Sequence, residues 1–285
     1  MSTNAIELRN VSRRFDGFAL QNVSFTLPKG CILGLVGENG AGKSTTIKLI
    51  MNVLQPDSGE ITVLGSSNTA AEFSDLKQDI GVVLDEATFP AVLNAKQLGK
   101  VMAGIYSRWD GALYRSYLQR FGLPEKKKFK DFSRGMKMKL AIAAALSHHP
   151  RLLILDEATS GLDPIVRDEI LDIFSEFTRD PEHAILISSH IVSDLEKLCD
   201  YIAFLHGGEL LFCQEKDALL EKYGIVACTH EQLADLPKDA VVSLRANQYG
   251  IQALVERSAV SSVFAPEKPT MEDIILFMVK GEKPA

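Results

Sequence analysis

Hydrophobic and polar positions alternate near the start of the chain in the manner of two short strands. One alternating run covers residues 6–11, a second extends from Leu20 to Leu27, and a turn at Asp16-Gly17 separates them. Period-two alternation with a short Gly-containing connection is typical of paired strands. The pattern therefore predicts a small antiparallel sheet at the N-terminus.

Nearly continuous apolar runs then predict strands that are buried on both faces. Residues 31–36 form the first such run, and a Gly-rich loop and a helical pattern from Lys43 to Val53 follow it. Four later runs have the same character: Ile80 to Leu84, Leu152 to Leu155, Ala184 to Ile187 and Ile202 to Leu205. Helical patterns separate most of these runs. The predicted fold class is therefore α/β, with a parallel sheet covered by helices on both sides.

Strand patterns stop between about Asn94 and Leu146, where apolar residues recur at helical spacing. One stripe contains Leu98, Val101, Met102 and Ile105, and the next contains Leu113, Tyr117, Leu118 and Phe121. Such stripes usually face a core, and we expect the same of Trp109. The sequence thus predicts an all-helical subdomain, over about residues 88–148, inserted into the α/β core.

The pattern changes again in the last part of the chain, where strands and helices are short and mixed. The predicted strands are Ile225 to Thr229, Val241 to Leu244 and Val260 to Phe264, and the predicted helices are Gln248 to Arg257 and Thr270 to Lys280. We expect two units, a first over residues 1–224 and a small α+β C-terminal region over residues 225–285.

The strongest chemical signal is a nine-residue, Gly-rich segment between the first buried strand and its helix. It reads Gly37-Glu38-Asn39-Gly40-Ala41-Gly42-Lys43-Ser44-Thr45 and matches the phosphate-loop pattern G-x-x-x-x-G-K-[ST]. The glycines let backbone N–H groups converge on phosphate oxygens, and the helix adds its positive N-terminal end. We expect Lys43 to reach the β- and γ-phosphates and the Ser44 hydroxyl to ligate Mg²⁺.

A second signal is a pair of carboxylates, Asp156-Glu157, directly after an apolar strand. In open α/β sheets, ligands bind at the carboxyl ends of the strands. Asp156 is therefore a candidate Mg²⁺ ligand, and Glu157 a candidate base that polarises the attacking water. His190 follows another core strand and reaches the same edge of the sheet.

Composition limits the classes of partner. The chain has 285 residues, of which 46% are hydrophobic and 24% charged, which excludes general disorder. Its 31 basic and 37 acidic residues give a net charge of −6, so no nucleic-acid partner is expected. No apolar run is long enough to span a bilayer, and no signal peptide is recognisable. The four cysteines lack C-x-x-C spacing, which disfavours zinc and redox motifs and suits a reducing cytosol.

Five segments, taken in order, resemble those of the nucleotide-binding subunit of ATP-binding cassette (ABC) transporters. They are the phosphate loop, Phe132-Ser133-Arg134-Gly135-Met136, Asp156-Glu157, Ser160-Gly161-Leu162-Asp163, and His190. The resemblance covers about the first 220 residues. It implies a phosphate-loop NTPase core of the RecA type that binds ATP and Mg²⁺ and hydrolyses ATP.

The resemblance also implies a head-to-tail dimer, of identical or related subunits, that encloses two ATP molecules. Ser133 and Gly135 are then expected to contact the γ-phosphate of the ATP held by the partner. Asp163 is expected at the dimer interface, and His190 at the γ-phosphate of its own subunit. Phe15 is expected to stack on the adenine.

Three departures from the family pattern stand out. Phe15 replaces the usual tyrosine, which keeps the π-face for stacking. In the signature motif, usually L-S-G-G-Q, Arg134 is among the variable positions, whereas Ser133 and Gly135 are retained. Asp85, followed by Glu86, stands where the family usually carries a Gln that senses the metal. Asp85 is therefore a candidate nucleotide and Mg²⁺ contact with altered chemistry.

The resemblance implies a cytoplasmic ATPase that is peripheral on the inner face of the membrane. A separate transmembrane permease would be its partner and would dock at the helical block and the loop from Asp85 to Pro90. The tail from Pro269 to Ile274 resembles that of export-type subunits. One alternative is a soluble cassette ATPase that acts on nucleic acid or ribosomes. The other is a phosphate-loop kinase or GTPase, although the chain lacks the guanine-reading N-K-x-D motif.

Overall fold

A computed structural model describes residues 3–85, 89–247 and 250–282. Its strands are β1 (Asn4–Phe15), β2 (Phe18–Pro28), β3 (Ile32–Val36), β4 (Ser58–Val63), β5 (Ser66–Ser67), β6 (Ile80–Val83), β7 (Leu152–Asp156), β8 (Ala184–Ser189), β9 (Tyr201–His206), β10 (Glu209–Glu215), β11 (Tyr223–Cys228), β12 (Val241–Asn247) and β13 (Gly250–Glu256). Its α-helices are α1 (Lys43–Ile50), α2 (Phe73–Leu76), α3 (Ala95–Ile105), α4 (Gly111–Arg120), α5 (Arg134–Leu146), α6 (Pro164–Phe177), α7 (Val192–Leu198), α8 (Lys216–Lys222), α9 (His230–Ala234) and α10 (Met271–Lys280). Within these ranges, no helix is long and apolar enough to cross a bilayer.

The main sheet has ten strands in the order β5-β4-β1-β2-β10-β9-β3-β8-β7-β6. Its centre, from β9 to β6, is parallel, and each of these strands is almost entirely buried. The strands β1, β2 and β4 pair in antiparallel fashion and join the centre through β2 and β10. Both the antiparallel N-terminal sheet and the doubly covered parallel core were expected from the hydrophobic pattern, and both are confirmed.

The register of the parallel strands brings three carboxyl ends to one edge. Val36 at the end of β3 lies opposite Ser189 of β8, and Asp156 at the end of β7 lies opposite Ser188. Because the phosphate loop follows Val36 and Glu157 follows Asp156, the two chemical signals of the sequence start from neighbouring strands. The helix after the phosphate loop ends at Ile50, three residues before the predicted end.

The helical block between β6 and β7 consists of α3, α4 and α5, as predicted. One part of the prediction is wrong: Val101 and Ile105 of α3 are 45% and 55% exposed rather than core residues. The helix instead buries Ala95, Leu98 and Gly99. Tyr114 of α4 donates a hydrogen bond to the Ala95 carbonyl at 2.9 Å, and a Cβ at Gly99 would lie only 2.7 Å from the Tyr114 ring. The face of α3 that packs against Tyr114 therefore does not include Val101 and Ile105.

The C-terminal region corrects two further predictions. The segment from Gly250 to Glu256 is a strand, not a helix, and lies between β11 and β12 in a three-stranded sheet. Its apolar run is buried and paired on both sides, and tertiary pairing of this kind overrides an ambiguous local pattern. Val260 to Phe264 is not a strand, because 3₁₀ turns at Arg257–Ala259 and Ser262–Phe264 occupy this stretch. The start of the predicted helix, Gln248, lies outside the described residues.

The helix α10 attaches the C-terminal region to the main core. Met271, Ile274 and Phe277 are fully buried and belong to the same apolar cluster as the helical block and α6. At its start, the Met271 N–H donates to Glu196 of α7 at 3.3 Å. The C-terminal region is therefore packed directly behind α7, the helix that follows His190.

The helix after the phosphate loop is held at its far end by one buried amide. Asn68 is 1% exposed, and its Nδ2 donates to the carbonyls of Leu49 and Ile50 at 2.7 and 3.2 Å. Carbonyls in the last turn of a helix have no intrahelical partner, so this side chain satisfies them.

We expect Asn68→Ala to lower the free energy of unfolding by about 1–3 kcal/mol, because the Ile50 carbonyl loses a donor and the Leu49 carbonyl, which also accepts from the Asn52 N–H, loses its second. Denaturant unfolding would measure this loss. Gln55→Ala, whose exposed side chain donates one surface hydrogen bond to Asn52, is the matched control and should change stability little. Equal losses in the two variants would contradict the role of Asn68.

Candidate functional site

The phosphate loop leaves β3 and enters α1 through backbone conformations that suit glycine. Gly40 and Gly42 have φ values of +86° and +111°. A Cβ at Gly37 would lie 2.5 Å from the Leu205 carbonyl of β9, so the loop approaches the sheet too closely for any side chain there. Ala41 is buried and closes the turn, because its N–H donates to the Glu38 carbonyl at 3.1 Å. The loop is thus shaped before any ligand binds.

Lys43 is a buried cation held by its own loop. Its side chain is 6% exposed, and Nζ donates to the Gly37 carbonyl at 2.7 Å and to the Glu38 carbonyl at 3.3 Å. The ammonium also lies 3.3 Å from Oε1 of Glu157. A buried charge is costly unless it is paired, and these oxygens offset that cost.

Glu157 connects the phosphate loop to His190. Its second carboxylate oxygen lies 2.7 Å from Nδ1 of His190. The Glu157 side chain is only 11% exposed. The three predicted catalytic residues, Lys43, Glu157 and His190, are therefore in direct contact in the structure. A carboxylate held between an ammonium and an imidazole is well placed to accept a proton from a water molecule.

The backbone of Glu157 is strained and is held in place by Ser188 of β8. Glu157 has a φ of +52°, which is uncommon for a residue other than glycine. Its N–H donates to the Ser188 carbonyl at 3.1 Å and to the Ser188 Oγ at 3.2 Å. The same hydroxyl donates to Oδ1 of Asp156 at 2.5 Å. Ser188 thus fixes the carboxylate of Asp156 and the backbone of Glu157, and strain of this kind is concentrated at functional sites.

An open cleft of 580 Å³ lies in front of these groups. Its lining residues are Phe18, Glu38, Asn39, Gly40, Gly42, Lys43, Ser44, Thr45, Asp85, Glu157, Ser160 and His190. Most of the predicted phosphate-loop residues, the base and Asp85 therefore meet in one space. The polar lining and the clustered backbone of the loop suit a polyphosphate rather than an apolar ligand.

The aromatic residue at the cleft wall is Phe18, which sequence reasoning missed. The predicted adenine-stacking residue, Phe15, is 37% exposed and lies next to it, with ring centroids 6.4 Å apart. Arg13 lies over the Phe15 ring at 5.4 Å. The turn at Asp16-Gly17 between β1 and β2 places both rings on the same side, a consequence that only the strand pairing reveals.

The oxygen-bearing residues suit Mg²⁺ bound together with a nucleotide. Ser44 is exposed in the cleft, and Asp156, 5% exposed, lies behind it at the end of β7. Mg²⁺ is usually held through one or two carboxylates together with substrate phosphates. The hydroxyl of Ser44 and the carboxylates of Asp156 and Asp85 fit this chemistry. Among the described residues, no His, Cys, Asp and Glu side chains form a cluster that could hold a metal without such phosphates.

The signature residues lie outside the cleft of their own chain. Ser133 is exposed and is the N-cap of α5, where its Oγ accepts from the Met136 N–H at 3.3 Å, and Gly135 lies in the first turn. Asp163 is the exposed N-cap of α6 and accepts from the Val166 N–H at 3.1 Å. The described residues that line the cleft do not include Ser133, Gly135 or Asp163.

Asp85, at the cleft, contacts the signature segment. Its Oδ1 lies 2.8 Å from Nη2 of Arg134. The contact joins residues 49 positions apart, so sequence reasoning did not reveal it. Glu86, which follows Asp85 in the sequence, lies outside the described residues.

Comparison with known proteins agrees with this geometry. The family model described as ABC transporter matches residues 20–160. The ABC transporter ATP-binding protein YtrB of Bacillus subtilis is 34% identical over 219 residues, which are 76% of this chain and 74% of YtrB. The bacitracin transport ATP-binding protein BcrA of Enterococcus faecalis is 34% identical over 209 residues, which are 72% of this chain and 68% of BcrA.

The fold is also similar to that of a solved ATP-binding subunit of an ABC transporter. The TM-score is 0.69 at 27% identity, over 75% of this chain and 91% of that one. A parallel core with a shaped phosphate loop, a buried lysine and paired carboxylates is what such a subunit needs to bind and hydrolyse ATP. The chain belongs to the ABC transporter family, as an ATP-binding and ATP-hydrolysing subunit.

Proposed function

We propose that this ATPase subunit drives export through a separate membrane permease, from the cytoplasmic face of the membrane. The single observation that carries the catalytic part is the contact of Lys43, Glu157 and His190 at the floor of the cleft. Support for export comes from the tail from Pro269 to Ile274, and the likeness to BcrA, a bacitracin transport protein, supports a role in transport. Residues 1–224 would form the nucleotide-binding unit, with a helical subdomain at about 88–148, and residues 225–285 a C-terminal region.

The contacts of Lys43 and Glu157 suggest how ATP would engage the site. Lys43 would exchange Glu157 and the loop carbonyls for phosphate oxygens, since an ammonium pairs strongly with a phosphate. That exchange leaves the Glu157 carboxylate available to a water molecule beside the γ-phosphorus. His190 would keep its contact with Glu157 and orient the carboxylate. Mg²⁺ held by Ser44, Asp156 and Asp85 would supply charge neutralisation of the phosphates.

A composite site in a dimer explains why the signature residues are exposed. Ser133 and Gly135 lie at the start of α5, where a helix N-terminus favours phosphate, yet they are not among the described residues that line the cleft of their own chain. Ile165, two residues after Asp163, is 83% exposed. We therefore assign Ser133, Gly135 and Asp163 to the contact with a second cassette, either identical or related.

The permease would dock at the helical block. Val101 and Ile105 lie one turn apart on α3 and are both largely exposed, and Val92 just before the helix is 67% exposed. Neighbouring apolar side chains at a surface favour a protein partner. Of the predicted docking loop from Asp85 to Pro90, residues 86–88 lie outside the described part of the chain.

We expect Glu157→Gln to reduce ATP hydrolysis by about 100-fold or more while ATP still binds, because the amide removes the general base. Steady-state ATPase assays and nucleotide titration would measure both effects. Lys43→Ala is the contrasting variant and should weaken nucleotide binding itself. Normal hydrolysis by Glu157→Gln would contradict its assignment as the base.

Glu157→Gln with ATP and Mg²⁺ should also form a dimer that light scattering detects, because hydrolysis no longer opens it. Adding Ser133→Arg should prevent dimerisation by filling the space of the partner's γ-phosphate. Ser116→Arg, at an exposed position on α4, is the matched control and should leave the dimer intact. A monomer under saturating ATP, or equal effects of the two arginines, would count against the composite site.

Val101→Asp and Ile105→Asp should each reduce co-purification with the membrane permease, because a charge replaces an apolar contact. ATP binding by the isolated subunit should remain unchanged. Val263→Asp is the control, since Val263 is 86% exposed but lies in the C-terminal region. If all three variants co-purify equally with detergent-solubilised permease, α3 is not the docking surface.

A further inference from the structure

One ion pair joins the nucleotide cleft to the signature segment of the same chain. Asp85, which lines the cleft, accepts a hydrogen bond from Nη2 of Arg134 at 2.8 Å. Arg134 is the first residue of α5 and directly follows Ser133. The contact therefore links the loop after β6 to the segment that is proposed to reach the partner's ATP.

Arg134 also covers the loop between Ser160 and Asp163. A Cβ built on Gly161 would lie 3.0 Å from Nη1 and 3.2 Å from Cζ of Arg134. Gly161 has a φ of +71°, and the absence of a side chain lets the guanidinium lie against the backbone. One arginine thus contacts two segments that each supply a residue to the cleft, Asp85 and Ser160.

The pair contributes little to stability, which leaves it free to exchange. The side chains of Arg134 and Asp85 are 56% and 46% exposed, and ion pairs with this exposure contribute little to folding. The same Asp85 carboxylate faces a cleft built for a metal–nucleotide complex. Arg134 and a divalent cation therefore compete for one carboxylate.

Resting on the proposed metal site and composite site, we propose that Arg134 is a positioning residue that holds Asp85 until Mg²⁺ and ATP occupy the cleft. Transfer of the Asp85 carboxylate from Arg134 to the metal–nucleotide complex then releases the guanidinium beside Ser133. Binding of Mg²⁺ and ATP in the cleft would in this way change the contacts of the signature segment, which is proposed to face the other subunit. The exchange involves electrostatic contacts only, with no covalent step.

The test measures the Mg²⁺ concentration that half-saturates binding of a fluorescent, non-hydrolysable ATP analogue. Four full-length chains are compared: the unsubstituted chain, Arg134→Gln, Asp85→Asn and the double variant. Arg134→Gln should lower the half-saturating Mg²⁺ concentration about two- to fivefold, as expected for loss of an exposed competing ion pair. Asp85→Asn should raise it, and adding Arg134→Gln to Asp85→Asn should change nothing further.

Two controls separate the exchange from a general effect of charge. Arg134→Lys retains the cation and should keep the Mg²⁺ midpoint close to that of the unsubstituted chain. Lys222→Gln removes the exposed pair between Lys222 and Glu256, whose side chains are 42% and 39% exposed, and should have no effect. If Arg134→Gln shifts the Mg²⁺ midpoint equally in the unsubstituted chain and in Asp85→Asn, Arg134 acts through its long-range charge and not through its contact with Asp85. That result would overturn the proposal.

An unchanged midpoint in Arg134→Gln would also overturn the proposal. Ser44→Ala distinguishes this result from failure of the metal site itself, because it should weaken Mg²⁺-dependent nucleotide binding whatever Arg134 does. If the unsubstituted chain binds the analogue without Mg²⁺ dependence, both the metal site and the exchange are wrong. If Ser44→Ala has its effect and Arg134→Gln has none, only the exchange is wrong.

Discussion

The register of the central parallel strands is the constraint on which the nucleotide site depends. Val36 lies opposite Ser189 and Asp156 lies opposite Ser188, so the phosphate loop and both carboxylates leave the sheet side by side. A slip of one residue between β7 and β8 would turn the side chains of one strand to the opposite face. Ser188 would then lose its contacts with Asp156 and with the strained backbone of Glu157. The strand register therefore sets the relative positions of the phosphate loop and of both carboxylates.

The second constraint is electrostatic. Lys43 and Glu157 are both nearly buried, and neither charge is tolerable there without partners. Their contact, with His190 on the far side of the carboxylate, gives each buried charge a partner. Under the proposed function, a phosphate group that pairs with Lys43 would replace the carboxylate as its counterion and would leave Glu157 to act as the base.

How much the sequence revealed depended on the distance between interacting residues. The phosphate loop and Asp156-Glu157 were predicted because each is a local pattern that directly follows a buried strand. The exposure of Val101 and Ile105 was not predicted, because it depends on how Gly99 of α3 packs against Tyr114 of α4. The strand from Gly250 to Glu256 was mistaken for a helix, because its apolar run is ambiguous locally and only its pairing with β11 on one side and β12 on the other makes it a strand. Phe18 was missed since only the β1–β2 pairing places it at the cleft.

Asp85 and Arg134 show what single-position comparison cannot reveal. Each departs from the usual residue of the family, Asp for Gln and Arg for Gly, and each alone would add an unbalanced charge beside a polyphosphate site. Together they leave the local net charge unchanged and add a directional contact of 2.8 Å between the cleft and the signature segment. The two departures are therefore one feature.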